Sequence, residues 1–251
     1  MKRVLAFVLV LIIVAMSIAS CGVDGKDGKD GETPTIEISS DGYWIINGEK
    51  TDVRATYEEV VDENPQGLGF FIQDDGTYVV GAGYAQYLSN IVIPETYKGA
   101  EIVRITREGF MYCDALENIT IPDSVTSIGD YAFAMCTSLT SISMPDSLVG
   151  IGEYAFYNCA SLESITLPDS LVSIGEWAFG NCTSLTSITI PDSVTSIDRS
   201  VFLNCTLLKS INYEGTVEQW NAISKDSYWN SSLPATEVIC TDGTVTLTQP
   251  K

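Results

Sequence analysis

Histidine is absent from all 251 residues, and basic residues are scarce, 13 Lys and Arg against 33 Asp and Glu. The first absence removes the commonest general base and metal ligand of neutral pH. The second leaves a formal charge of −20, which opposes binding to nucleic acid or direct docking on anionic lipid headgroups. None of the 7 cysteines falls in a Cys-x-x-Cys pair, so the usual zinc spacing is missing. The longest apolar run, the thirteen residues from Val4 to Met16, is short for a bilayer span. No metal and no cofactor are expected, and no constellation of residues points to an enzyme.

That apolar run follows Lys2-Arg3, and together they make the n- and h-regions of an export signal over residues 1–20. Ile18-Ala19-Ser20-Cys21 resembles the lipobox of bacterial lipoproteins, in which a small residue precedes a cysteine that is diacylated and becomes the new N-terminus. The alternative is an ordinary secretory signal with a chance cysteine. The resemblance implies lipidation at Cys21 and an exported, surface-exposed protein held on the bacterial envelope by its acyl chains. Each buried CH₂ contributes about 0.8 kcal/mol to such an anchor. Loss of Lys2 and Arg3 takes the charge to −22.

Gly22, Gly25, Gly28 and Gly31 then recur at every third place without proline, which favours a solvated tether over 21–33 rather than a collagen triple helix. Residues 34–56 read as a small β-hairpin module: Thr35 to Ser39 and Tyr43 to Ile46 flank Ser40-Asp41-Gly42, with Asn47-Gly48 as a second turn. The stretch from Thr33 to Ala55 is similar to a small module seen beside Gly-X-Y tracts in bacterial and phage surface proteins, some of them trimeric. An acidic, aperiodic linker covers 57–66.

The rest of the chain is governed by a step of 23 residues. Pro122, Pro145, Pro168 and Pro191 keep it, as do Phe110, Phe133, Phe156, Phe179 and Phe202. Cys113, Cys136, Cys159, Cys182 and Cys205 keep it too, and so do Leu116, Leu139, Leu162, Leu185 and Leu208. A fixed period in this range marks a leucine-rich-repeat-like solenoid. Within one repeat, Leu139, Ile142 and Met144 alternate with Ser141 and Ser143 as in a half-buried strand, and Pro145 ends it. Asp146-Ser147 supply a turn, Leu148 to Ile151 a second extended piece, and Tyr154-Ala155-Phe156 one helical or 3-10 turn that drops Phe156 inward.

The expected fold is therefore a mainly β solenoid with short helical or 3-10 turns. Repeats occupy 88–213, a hairpin at Leu68–Gln73 and Tyr78–Gly81 caps the N-terminal end (67–87), and a mixed cap closes the C-terminal end (214–251). In that second cap Thr216 and Gln219 match a capping box, and a last hairpin turns at Asp242-Gly243.

The phrase from Leu139 to Ser161 resembles the BspA-type, or Treponema pallidum-type, leucine-rich repeat: Leu-x-x-Ile-x-Leu-Pro, then apolar-x-x-Ile-Gly, then Ala-Phe-x-x-Cys. The resemblance implies a bacterial surface protein that binds host or neighbouring-cell proteins, extracellular matrix among them, and mediates adherence without catalysis. The alternative is a surface scaffold or spacer with no specific ligand. Asp198-Arg199-Ser200-Val201-Phe202 depart from the pattern, as a coil near a cap can.

Two columns qualify as sites. Outward positions of the first strand, such as Asn118, Ser141, Ser164, Ser187 and Ser210, are small and hydroxyl-rich, lacking the aromatic anchors of binding hot spots. The turn column Tyr131, Tyr154, Trp177 runs beside Asp130, Glu153, Glu176. Aromatics beside carboxylates are candidates to hold a protein partner or sugar faces, and equally to seal neighbouring coils against each other. Tyr131, Tyr154, Trp177, Glu153 and Glu176 are the candidate ligand-binding residues. The five repeat cysteines are expected as an inward structural ladder, each thiol in a small slot with a loop carbonyl as acceptor.

Overall fold

Alternation and proline together set the strand lengths. Ser141–Ser143 pairs in parallel with Ser164–Thr166, Ser141 opposite Ser164 and Ile142 opposite Ile165, so one 23-residue step is one coil. The computed structural model describes residues 36–38, 43–46, 49–54, 64 and 66–248, and the chain divides into two units, Met1–Val61 and Asp62–Lys251. The export signal, Cys21, the glycine-rich tether and nearly all of the acidic linker lie outside the described residues.

In the first unit, strands Ile36–Ile38, Tyr43–Ile46 and Glu49–Arg54 form an antiparallel three-stranded sheet. The expected hairpin is present as Ile36–Ile38 against Tyr43–Ile46, and a third strand adds to it. Its residues, Glu-Lys-Thr-Asp-Val-Arg, are mostly charged and hide it from a reading based on apolar alternation.

The second unit is the solenoid, and its coils form two sheets. In the first, parallel strands run from Asn90–Val92 through Asn118–Thr120, Ser141–Ser143, Ser164–Thr166, Ser187–Ile190 and Ser210–Tyr213 to Glu237–Cys240, and Gly243–Thr246 adds on antiparallel. In the second, two-residue strands such as Gly150–Ile151 and Ser173–Ile174 stack between Ala100–Ile105 and Ser224–Lys225. The expected N-terminal hairpin is present as Gly69–Ile72 and Tyr78–Gly81, and Tyr78–Gly81 extends the second sheet by pairing with Ala100–Ile105. The first coil, from Pro94 to Pro122, is five residues longer than the 23-residue step, and a further hairpin absorbs them, Thr96–Tyr97 against Ala100–Ile105, turning at Lys98 and Gly99, both with positive φ.

Inside the coils the buried residues repeat with the sequence. Leu116, Leu139, Leu162, Leu185 and Leu208 are wholly buried. So are the five phenylalanines, whose rings stack from Phe110 to Phe202 at 5.2–5.8 Å with planes within 10°. Each such pair contributes about 0.5–1.5 kcal/mol beyond the area it buries. Because every coil packs on its neighbours alone, stability is close to a sum of nearest-neighbour terms.

Two polar staples tie successive coils. The Asp-Ser turn serine donates its hydroxyl to a carbonyl one coil back: Ser147 to Val125 at 2.8 Å, Ser170 to Leu148 at 2.6 Å and Ser193 to Leu171 at 2.7 Å. The cysteine thiols do the same to the phenylalanine carbonyls, Cys136 to Phe110, Cys159 to Phe133, Cys182 to Phe156 and Cys205 to Phe179, at 3.0–3.2 Å. Among the described residues no buried side-chain nitrogen or oxygen lacks a partner.

The Ile-Gly step has a steric origin. A Cβ on Gly175 would stand 2.8 Å from the backbone of Gly152 and Glu153 in the preceding coil. The corresponding position one coil later is Asp198, the first residue of the departure seen in the sequence.

The C-terminal cap completes both sheets. Its only α-helix among the described residues, Val217–Ala222, opens with the expected capping box between Thr216 and Gln219. The helix brings Trp220 onto Tyr213 and Trp229, edge to face at 5.2 and 5.6 Å, as an aromatic plug under the last coil. No described helix is long and apolar enough to cross a membrane.

Candidate functional site

The stretch around Tyr154 is not a regular helical turn. Ala155 N–H donates to Gly152, Tyr157 to Tyr154 and Cys159 to Phe156, a chain of separate i→i+3 turns. Tyr154 and Asn158 interrupt it with φ of +55° and +59°. The same left-handed pair recurs at Tyr131 and Met135, Trp177 and Asn181, and Ser200 and Asn204. Asn tolerates this region; a bulky aromatic is an outlier there and costs about 1–2 kcal/mol.

What holds the aromatics in place is a third ladder between coils. Tyr154 N–H donates to Glu176 at 2.8 Å, Phe156 to Ala178 at 2.7 Å and Asn158 to Gly180 at 2.8 Å. Tyr131, Phe133 and Met135 bond in the same way to the Tyr154 coil, and Trp177, Phe179 and Asn181 to the coil after. Every second N–H therefore points towards the next coil. The geometry over-determines the strained residues, as strained backbone requires if it is to persist.

This backbone sets the column's side chains ring on ring. Tyr131 and Tyr154 lie 4.8 Å apart with planes 1° from parallel, and Tyr154 and Trp177 lie 5.8 Å apart at 8°. All three are partly exposed. Tyr157, which the sequence reading passed over, meets Tyr154 and Trp177 edge-on at 5.6 and 6.0 Å. Gly180 leaves space for the larger indole: a Cβ there would come 2.9 Å from Trp177 Cε3. The rings occupy one another's faces, so solvent meets their edges and phenol oxygens.

The carboxylates run alongside. Asp130 accepts the N–H of Glu153 at 3.0 Å. Glu153 is exposed and Glu176 half-buried, and neither forms an ion pair among the described residues. Burial first, then the charge of Glu176, pushes the Tyr154 phenol above its ordinary pKa. Arginines bound the strip at both ends. Arg107 lies over Tyr131 at 5.7 Å while pairing with Glu108 at 3.4 Å, and Arg199 lies over Tyr228 at 5.4 Å. Neither arginine was picked out from sequence as a site residue; their place one coil before Asp130 and one after Glu176 was the available signal. An open groove of about 570 Å³, lined by Phe71, Gln73, Arg104 and Ser127 among others, adjoins Arg107 and Asp130.

The remaining candidates are distributed differently. The hydroxyl column of the first sheet is exposed, apart from a half-buried Ser210. Cys113, Cys136, Cys159, Cys182 and Cys205 are free and buried, as is Cys240. Burial raises their thiols, Cys113 to about 11 and Cys205 to about 12. No group of three or more Cys, Asp or Glu among the described residues converges to hold a metal ion.

A family model described as the BspA type leucine rich repeat region matches residues 103–233 in six copies. The chain belongs to this family. Among solved structures it is similar to a leucine rich repeat protein of T. pallidum, at 31% identity and TM-score 0.57 over 59% of this chain and 69% of that one. It is also similar to a leucine rich cell surface protein from Faecalibacterium prausnitzii, at 36% identity and TM-score 0.58. That match covers 63% of this chain, which spans 41% of the other's length. No curated protein matches. These leucine rich repeat relatives share the mainly β solenoid, and that fold is a scaffold suited to protein–protein contact.

Proposed function

We propose that this protein is an exported, lipid-anchored surface module that adheres to an extracellular protein, of host matrix or of a neighbouring cell, and carries out no catalysis. The observation that carries the reading is the aromatic strip Tyr131–Tyr154–Trp177, kept partly exposed, one ring per coil, by strained backbone. Aromatics on a rigid frame bind at low entropic cost and are the usual energetic centre of an interface. The cell-surface description of the F. prausnitzii relative and the lipobox-like run ending at Cys21 support the location. Rings 4.8 Å apart leave no room for a pyranose between them, which favours a protein over a sugar.

The test is substitution of Tyr154 and Trp177 by Ala in the exported chain. Binding to the partner falls while circular dichroism keeps its native form; unfolding would show instead that the strip is packing alone. For the anchor, Cys21→Ala abolishes incorporation of a labelled fatty acid, and retained label would refute lipidation at that residue.

A further inference from the structure

The strip also specifies the chemistry of what it takes. From Glu108 to Asp198 the chain contains no Lys, Arg or His, while it carries twelve carboxylates. Glu153 is exposed and Glu176 half-buried, both carboxylates act electrostatically on the Tyr154 phenol, and neither has an ion-pair partner among the described residues. Each coil of the strip thus offers one carboxylate next to one apolar edge. An arginine or lysine side chain matches that pair, with its methylene stem along the ring and its charged head on the carboxylate.

The molecule holds a related arginine–ring–carboxylate contact, with the guanidinium over a ring face. Arg107 occupies, one coil upstream, the place that Asp130, Glu153 and Glu176 hold in the following coils, and there it covers Tyr131 and reaches Glu108. Arg199 stands at the same place one coil beyond Glu176 and covers Tyr228. The two arginines are the nearest cations on either side of the strip along the chain, and they limit it to three coils. A longer cationic ligand meets like charge at both ends.

We infer that the strip from Asp130 to Trp177 binds a cationic, arginine-bearing extended segment of the partner protein. The inference rests on the binding-module reading and names the chemistry of its partner. Three coils in a row, each with the same carboxylate-and-ring pair, suit a segment with several cationic side chains better than a single ion.

The experiment is fluorescence anisotropy of a labelled hexa-arginine peptide with the full exported chain, with hexa-glutamate as the control peptide. Saturable binding that weakens with salt is expected, and E153Q/E176Q lowers affinity about tenfold, as expected for losing charge-assisted contacts. D146N/D169N removes the same charge from the exposed turns after the prolines and lowers affinity less than about twofold if the contact is local. Equal losses in the two double variants, or no saturable binding, overturn the inference. Partner capture that survives unchanged in E153Q/E176Q also overturns it and leaves the binding-module reading standing. Capture that never occurs removes that reading, whereas the peptide titration is read independently of it.

Discussion

The thiol of Cys159 donates to the carbonyl of Phe133 at 3.2 Å, joining one coil to the one before it. That carbonyl also accepts the N–H of Cys136 at 3.2 Å, so the thiol adds a second bond to an acceptor already in use. Cys159→Val keeps the volume close and removes the donor. We expect a loss of about 0.5–1.5 kcal/mol in denaturant unfolding. Because the six described cysteines are buried, they react with a thiol reagent only after denaturation, and fast labelling of native protein at these positions would contradict the structure.

The same burial gives a pH dependence. A thiol held above its ordinary value of 9.0 is protonated in both folded and unfolded chains below pH 9, where its contribution is fully present. As pH rises beyond 9 the unfolded chain ionises first, and stability is lost towards pH 11–12. Each buried thiol contributes about 1.4 kcal/mol per pH unit to that slope. Replacing Cys159 with Ser removes one such contribution, so the fall in stability between pH 9 and 10.5 becomes measurably shallower; an unchanged slope would contradict the account.

Gly175→Ala places a Cβ 2.8 Å from backbone atoms of the preceding coil. Backbone cannot swing aside as a side chain does. The expected cost is about 1–3 kcal/mol, read as a lowered thermal midpoint. The same change at Gly150, whose Cβ would meet only the Ser173 hydroxyl at 3.5 Å, is expected to cost less.

Glu95, Asp123, Asp146, Asp169 and Asp192 form an exposed row, one carboxylate per coil after each strand. Neighbouring coils lie about 4.8 Å apart, so these like charges repel. Unfolding midpoints should rise as NaCl goes from 20 to about 300 mM, because exposed charges are screened over a Debye length. A midpoint that falls with salt would show that attractive pairs dominate the surface instead.

Much of this architecture was legible in the chain. The step from Pro145 to Pro168 sets the coil, Leu139 and Ile142 point inward as alternation requires, and Thr216 with Gln219 opens the helix Val217–Ala222 as capping chemistry dictates. The left-handed backbone of Tyr154 was not legible, since nothing local favours φ of +55° in a tyrosine; hydrogen bonding to the next coil imposes it. The serine staple was hidden for a related reason. Ser147 reads as turn chemistry, and its acceptor, Val125, lies 22 residues away. Of the strip, Tyr131, Tyr154 and Trp177 could be read from their spacing. Tyr157 became visible only when the coils were stacked, because its contacts cross between positions of different columns, whereas Arg107 and Arg199 keep the 23-residue step of Asp130, Glu153 and Glu176.

Binding of the full chain to a panel of surfaces tests most directly whether this solenoid holds a protein through its aromatic strip. Immobilised extracellular-matrix proteins, mucin glycans and intact neighbouring bacteria are presented to the native chain and to a folded Y154A/W177A variant. Saturable binding to a protein-bearing surface that the variant loses is expected. Binding no greater than that of the variant on all three surfaces would contradict it and make the solenoid a spacer.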